Sequence, residues 1–179
     1  MPSKVYNNVE DHRLIYESGN EKFTVEDVTS VTIPTVEHPT VDIDAAGLAG
    51  VISMPNSVKV NAMEFTVSHN NGANCEKLIN GGKNVIEFRL VRQKYDVALG
   101  EIQHESVKYR LTVVHKSTDD GTVQTGNPLG SSDKFSVLRY EKYVGNGADA
   151  NLVILIDVMT GQIQLNGKEL TDDVQTLLN

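Results

Sequence analysis

The sequence predicts a mainly β protein, a β-sandwich or barrel of two packed antiparallel sheets with one short internal helix and a short C-terminal helix. Three observations carry this. Val, Thr, Asn and Gly are abundant while Trp is absent, a composition suited to short strands and turns. Two central segments alternate cleanly between apolar and polar residues. The C-terminal portion strings strand-like runs between tight turns. At 179 residues the chain suits one domain, residues 1–179, large enough to bury a core without staples.

The N-terminal part, with Tyr16, Gly19 and Asn20 ahead of Phe23, is not distinctive. From Phe23 to Val36, Val25, Val28, Val31, Ile33 and Val36 interleave with polar residues, a half-buried strand pattern with one phase shift, punctuated by Pro34 and Pro39. Between Glu37 and Pro55 the small residues Ala45, Ala46, Gly47, Ala49 and Gly50 suit neither a core strand nor a strong helix. This predicts a long arm or loop over about residues 37–55, and its apolar members Val41, Ile43, Leu48, Val51, Ile52 and Met54 argue against plain disorder. Val58 to Ser68 reads as a strand with a bulge near Asn61 and Ala62. After the turn at Asn70, Asn71 and Gly72, Ala73 to Asn80 reads as the internal helix, with Cys75, Leu78 and Ile79 on one side and Gly81 and Gly82 ending it.

Clean alternation follows in Ile86, Phe88 and Leu90, then in Val107, Tyr109, Leu111 and Val113, so each strand has one buried and one wet face. Ser117 to Ser132 is turn-rich. Lys134 to Val144 is strand-like, and Leu152 to Ile156 is apolar on both faces of a pleat, so both faces need cover. Turns at Gly145-Asn146-Gly147, Thr160-Gly161 and Asn166-Gly167 frame these runs and the strand Gln162 to Leu165. Thr171 is placed to cap a last helix carrying Val174, Leu177 and Leu178.

The chemistry the chain lacks is as informative. A formal charge of -8 opposes a static grip on nucleic acid through phosphate neutralisation. One Cys excludes an intramolecular disulfide and fits a reducing compartment. The first residues have no apolar core of signal-peptide length, and no run approaches the roughly 20 apolar residues that span a bilayer; a soluble protein with no membrane partner is expected. His12, His38, His69, His104 and His115 lack zinc-site spacing, and Cys75 reads as a packing residue. Asp42, Asp44, Asp119, Asp120, Asp172 and Asp173 do not follow a calcium-loop pattern, and no phosphate loop is present. No cofactor, metal or catalytic residue is expected, and no enzyme.

Read in order, several segments resemble the major tail tube protein of contractile-tailed bacteriophages and phage-tail-like bacteriocins. They are Val31-Thr32-Ile33-Pro34; Ala62 to Val67 with Asn71-Gly72 and the short helix; and Tyr140 to Tyr143 through Ile156-Asp157, Thr160-Gly161 and Leu165-Asn166-Gly167. The loop from Ser117 to Ser132 departs from that pattern. The resemblance implies a homo-oligomer of hexameric rings stacked into a tube, an inner barrel built of strands from every copy, and sheath, baseplate and tape-measure partners. It further implies residence in a virion tail or bacteriocin particle assembled in the host bacterial cytoplasm, with DNA passing through without specific binding.

On that resemblance Val41, Ile43, Leu48 and Ile52 are candidates for inter-ring contact, and Val153 and Leu155 for a subunit border that covers the second face of their strand. Glu64 and Glu87, on polar faces of central strands, are candidates for an acidic lumen. Two other readings stay open. One is the tube of a related contractile secretion or injection system with another cargo. The other is a solitary extracellular β-sandwich binding module, which would usually show clustered exposed aromatics; only 4 Phe and 6 Tyr are present, without a cluster.

Overall fold

The computed structural model describes residues 4–47, 49–71, 75–147, 150–171 and 176. Its strands are β1 (Lys4–Ser18), β2 (Glu21–Val25), β3 (Val28–Thr32), β4 (Thr40–Ile43), β5 (Ile52–Pro55), β6 (Met63–His69), β7 (Asn84–Asp96), β8 (Glu101–Asp119), β9 (Ser132–Val144), β10 (Asn151–Asp157), β11 (Gln162–Leu165) and β12 (Lys168–Glu169). The protein is mainly β, as its composition predicts, with one large antiparallel sheet and one small one. The large sheet runs β12-β11-β10-β9-β8-β7-β1-β2, with β6 joined to β9 and β3 to β6, while β4 and β5 pair only with each other.

Strand β9 makes this arrangement possible. One of its edges pairs with β8 along its length, and the other is divided: Ser132 to Val137 pairs with β6, and Arg139 to Val144 with β10. A register shift at Thr112 and Val113 of β8 lies opposite the division, and a bulge there bends and twists the sheet. Tyr16 of β1 and Phe135 of β9 have ring centroids 6.0 Å apart, although β7 and β8 lie between their strands. In a flat sheet strands three places apart are separated by about 14 Å, so the large sheet curls and its inner face closes on itself.

The alternating residues of the sequence fill that interior. Leu14 and Tyr16, Ile86, Leu111 and Val113, Phe65 and Val67, and Phe135 are all buried, each set two residues apart so that one face of its strand is apolar. Phe135 is the centre, with Tyr16, Phe65 at 6.4 Å and His115 at 5.7 Å around its ring. Beside it Asp133 is buried but served: Thr118 Oγ1 donates to Asp133 Oδ1 at 2.6 Å, and His69 Nε2 lies 3.4 Å from Asp133 Oδ2.

Two hairpins share one turn chemistry. Asp96 Oδ1 accepts from the amides of Ala98 and Leu99, and the Gly100 amide donates to the Asp96 carbonyl. Asp157 repeats this with Met159, Thr160 and Gly161. Gly100 and Gly161 have φ of 68° and 73°, a left-handed conformation that glycine adopts without strain.

Several boundaries differ from expectation. The undistinguished N-terminus forms β1, 15 residues long, because its partner β7 imposes the extended conformation that its own mixed pattern does not encode. The run from Phe23 to Val36 is broken at Asp27, whose φ is 63° and whose carboxylate accepts from Asn70 Nδ2 and the Asn71 amide. Val58 and Val60 precede β6 rather than belong to it. The internal helix expected over Ala73 to Asn80 is, among the described residues, a short 3₁₀ helix, Cys75–Leu78. Leu78 is buried and Ile79 exposed; the buried Asn84 holds the turn by donating to the Leu78 carbonyl at 3.2 Å. The expected C-terminal helix falls mostly outside the described residues.

Truncating the central ring tests this core. Phe135→Ala should cost about 3–5 kcal/mol, the usual range for a buried Phe, in urea unfolding of the unassembled chain. Val41→Ala, on a surface the core does not touch, should change the same curve by less than about 0.5 kcal/mol.

Candidate functional site

No cluster of three His, Cys, Asp or Glu side chains is placed to hold a metal ion among the described residues. The features that call for explanation are surfaces. Strands β4 and β5 form a ribbon with Val41 opposite Met54 and Ile43 opposite Ile52. Directly opposed residues share a face, as do residues two apart, so these four make one apolar face and Thr40, Asp42 and Ser53 the other. All eight ribbon residues are exposed, Val41 at 64%. A lone two-stranded hairpin is marginal in water. Its stem is nonetheless tied down: the Asn56 amide donates to Pro39 O at 2.8 Å, the Asn61 amide to Glu37 O at 2.7 Å, and His38 Nδ1 lies 2.7 Å from Lys59 O.

A second surface arises because β1, β7 and β8 outrun the core. Past Leu14, Phe88 and Val107 they continue as a three-stranded blade, held by the ladder from Lys4 opposite Asp96 to Asp96 opposite Glu101. Val5, Tyr95 and Ile102 stand in one row across the blade, and all three are exposed. The other blade face, continuous with the core side, carries Tyr6 opposite Lys94 and Val9 opposite Arg92. There the Arg92 guanidinium lies 4.2 Å from the Tyr6 ring centroid, and Arg92 Nε donates to Glu105 at 2.9 Å with Lys94 Nζ 3.4 Å from the same carboxylate.

The blade also has an open edge. Strand β2 pairs with β1 only from Leu14 to Ser18, so among the described residues nothing pairs with the outer edge of β1 from Lys4 to Arg13, a length of about 30 Å. That edge is blunted rather than flat. Register shifts fall after Tyr6 and after Val9, and the side chains of Asn7 and Asp11 accept from the amides of Asn8 and His12. Such devices oppose indiscriminate pairing. The corresponding edge of β8 is shorter, because Gly145 and Asn146 bond to Ser106.

The expected site residues fall as follows. Val41, Ile43 and Ile52 are brought together on the arm's apolar face, joined by Met54, which was not singled out as a contact residue; Leu48 lies outside the described residues. Val153 is half-buried, and its carbonyl accepts from the Asn166 amide at 2.8 Å. Leu155 is only 6% exposed, so the single chain already provides much of the cover that this strand needs. Glu87 faces away from the core yet is 7% exposed and paired with Arg89. Glu64, on β6, is half-buried; a hydrogen bond from Lys116 holds its carboxyl below the usual range. The two acids stand on strands separated by β8 and β9 and do not form one patch. A row of cations, Arg13, Arg89 and Lys108, crosses β1, β7 and β8 on the Glu87 face, a feature legible only once register is known.

The described residues form a mainly β domain whose distinctive features are its uncovered surfaces. The chain belongs to the phage tail tube protein FII family, whose model matches residues 12–178. No curated protein matches it. Among solved structures, it is similar to the sheath/tube terminator of an extracellular contractile injection system in the extended state, with 15% identity, a TM-score of 0.49, and coverage of 73% of this chain and 92% of the other. The sheath–tube complex of such a system gives 17% identity, a TM-score of 0.49 and coverage of 73% and 87%. The anti-feeding prophage tube-terminating cap gives 16%, 0.45, 79% and 89%. The assignment rests on the family match.

Glu105 provides a pH test of the blade. Burial pushes its carboxyl up, but hydrogen bonds and charge from Arg92 and Lys94 outweigh this and hold it below the usual value of 4.5. A lowered folded value means that its stabilisation is present above the unfolded value and lost as pH falls through the folded one. Glu105→Gln should therefore lower the melting temperature at pH about 7 and reduce its decline below pH about 4.5, while the parent keeps the steeper acid limb.

Proposed function

We propose that this protein is the structural subunit of a hollow tail tube and has no catalytic role, its copies joining side by side into hexameric rings that stack into a conduit. The observation that supports it most, beside family membership, is that among the described residues the blade and the arm carry exposed apolar side chains and β1 leaves an open edge. A head-to-tail contact that closes makes a ring, and one that does not close makes a filament. The outer edge of β1 suits the first contact, since an open strand edge can take up a neighbour's strand. The arm suits the second, through Val41, Ile43, Ile52 and, by sequence, Leu48. Val153, with what Leu155 leaves exposed, remains a candidate at the lateral border.

If blades join laterally, the core side of each carries its own domain, so the conduit wall is the opposite face. Glu87 is on that face with Arg13, Arg89 and Lys108, which makes the wall mixed in charge rather than uniformly acidic; Glu64 lies away from it. DNA passing without specific binding fits a wall of mixed charge on which Glu87 is paired with Arg89, and Debye screening confines the reach of its ions to about 8 Å at physiological salt. Sheath, baseplate and tape-measure proteins are the partners this reading implies, in a phage tail or bacteriocin particle assembled in a bacterial cytoplasm. The tube of a related injection system has the same geometry with another cargo.

Two deletions test the reading on the purified chain. Removing residues 42–50 should leave the unfolding curve of the unassembled chain within about 1 kcal/mol of the parent while abolishing long tubes in negative-stain micrographs. Removing residues 4–9 should leave a folded monomer that forms no rings by native mass measurement. A parent chain that stays monomeric at high concentration with its initiation proteins present would refute the tube reading.

A further inference from the structure

A relay of hydrogen bonds runs from the corner between β2 and β3 to the returning limb of the loop between β8 and β9. It starts at Asp27, whose left-handed backbone, φ 63°, costs a residue with a side chain energy and persists only where neighbouring groups hold it. The groups that hold it follow β6. Asn70 Nδ2 donates to Asp27 Oδ1 at 3.2 Å, the Asn71 amide to Asp27 Oδ2 at 2.7 Å, and the Asn70 amide to the Asp27 carbonyl at 3.2 Å. The same two asparagines face the loop with their remaining groups. The Gly130 amide donates to the Asn70 carbonyl at 2.7 Å and the Leu129 amide to Asn71 Oδ1 at 3.4 Å; next to them the His69 amide donates to the Ser131 carbonyl at 2.8 Å.

The loop held in this way, residues 120–131, has its neck in the core, where Thr118 Oγ1 donates to the buried Asp133. Beyond the neck its support is thin. The two limbs are joined by the Thr122 amide on the Leu129 carbonyl at 2.9 Å, so the outgoing limb follows the returning one. Ser131 is buried and Leu129 half-buried, but residues 120–128 are exposed, Val123 at 89%. Among the described residues, the hydrogen bonds that tie this loop to another element all run to residues 69–71, apart from the Gly121 amide on Asp119 at its own neck. With so little apolar burial, those bonds decide where the loop stands.

We infer that Asp27 is the latch of this loop: its carboxylate sets Asn70 and Asn71, these set Leu129 to Ser131, and loosening the corner frees the loop while the core stays folded. Asp27 is thus a positioning residue that acts through the two asparagines. With the latch undone, the corner relaxes toward the extended backbone of the flanking strands, and the loop opens as a local unit distinct from global unfolding. The device does not depend on the tube reading. It governs the segment, Ser117 to Ser132, in which the sequence departs from the tail tube pattern.

Amide hydrogen exchange of the unassembled chain tests the latch. Asp27→Gly accepts the left-handed corner without strain but lacks the carboxylate. It should speed exchange of the Leu129 and Gly130 amides at least about fivefold, as expected when the bonds that hold a local unit are lost, while the Leu111 and Val113 amides of β8 stay within about twofold of the parent. Asp27→Asn tolerates the same backbone and keeps one acceptor oxygen, so its loop exchange should fall between the two. Unchanged exchange at Leu129 and Gly130 in Asp27→Gly overturns the inference. Equal acceleration of loop and core overturns it too, because that marks a general loss of stability. A cycle tests the route: Asn71→Ala alone should speed Leu129 exchange, and adding Asp27→Gly should give less than the product of the two separate effects, since both act through one contact. A full product means that the two sites act independently, which refutes the relay. Should Asp27→Gly fail to fold, Asp27→Asn carries the same comparisons.

Discussion

Strands β1, β7 and β8 are longer than the core they cover, and the rest of the molecule's behaviour follows from that mismatch. Around Phe135 both the backbone ladder and the side-chain packing are complete, because the curl of the sheet brings β1 over β9. Beyond Leu14 and Val107 the ladder continues while the packing does not. Backbone hydrogen bonds hold such a blade together at a modest net gain each, but they do nothing for Val5, Tyr6, Val9, Tyr95 and Ile102, which keep their contact with water. Hydrophobic free energy scales with area removed from water, so this surface and the arm are stabilising only when a second body covers them. The domain is complete at one end and unfinished at the other.

This division separates folding from assembly. Core residues set whether a copy is stable; the ribbon of the arm, whose eight residues are all exposed, contributes little to that. A formal charge of -8 opposes association of free copies at long range, so in the proposed tube short-range apolar contact would have to outweigh it. The bulged, Asn- and Asp-protected edge of β1 works in the same direction by penalising flat edge-to-edge pairing. Buried ions follow a local logic as well: Glu87 faces outward but lies under Arg89, and Asp133 is buried but receives the Thr118 hydroxyl.

Much of the fold was legible in the residues. Alternation located the inner halves of β7 and β8, glycine and asparagine turns located the C-terminal hairpins, and small residues between prolines marked the arm. Less legible was β1, because an exposed strand carries little periodic signal and its conformation comes from β7. The internal helix was located by its residues, but its 3₁₀ form, held by Asn84 on the Leu78 carbonyl, depends on groups that meet only after folding. Among the site residues, Val41, Ile43 and Ile52 fall on one face because a two-residue repeat is local information, whereas the burial of Leu155 and the pairing of Glu87 with Arg89 are not written in that repeat.

By itself, then, the sequence determined the class of structure and the inward face of each central strand. Tertiary structure alone decided how the sheet curls, where its edges stay open, which acids are neutralised and which apolar residues remain wet. The physical reason is range. A pleat repeats every two residues and is written locally, but burial depends on strands brought together from distant parts of the chain.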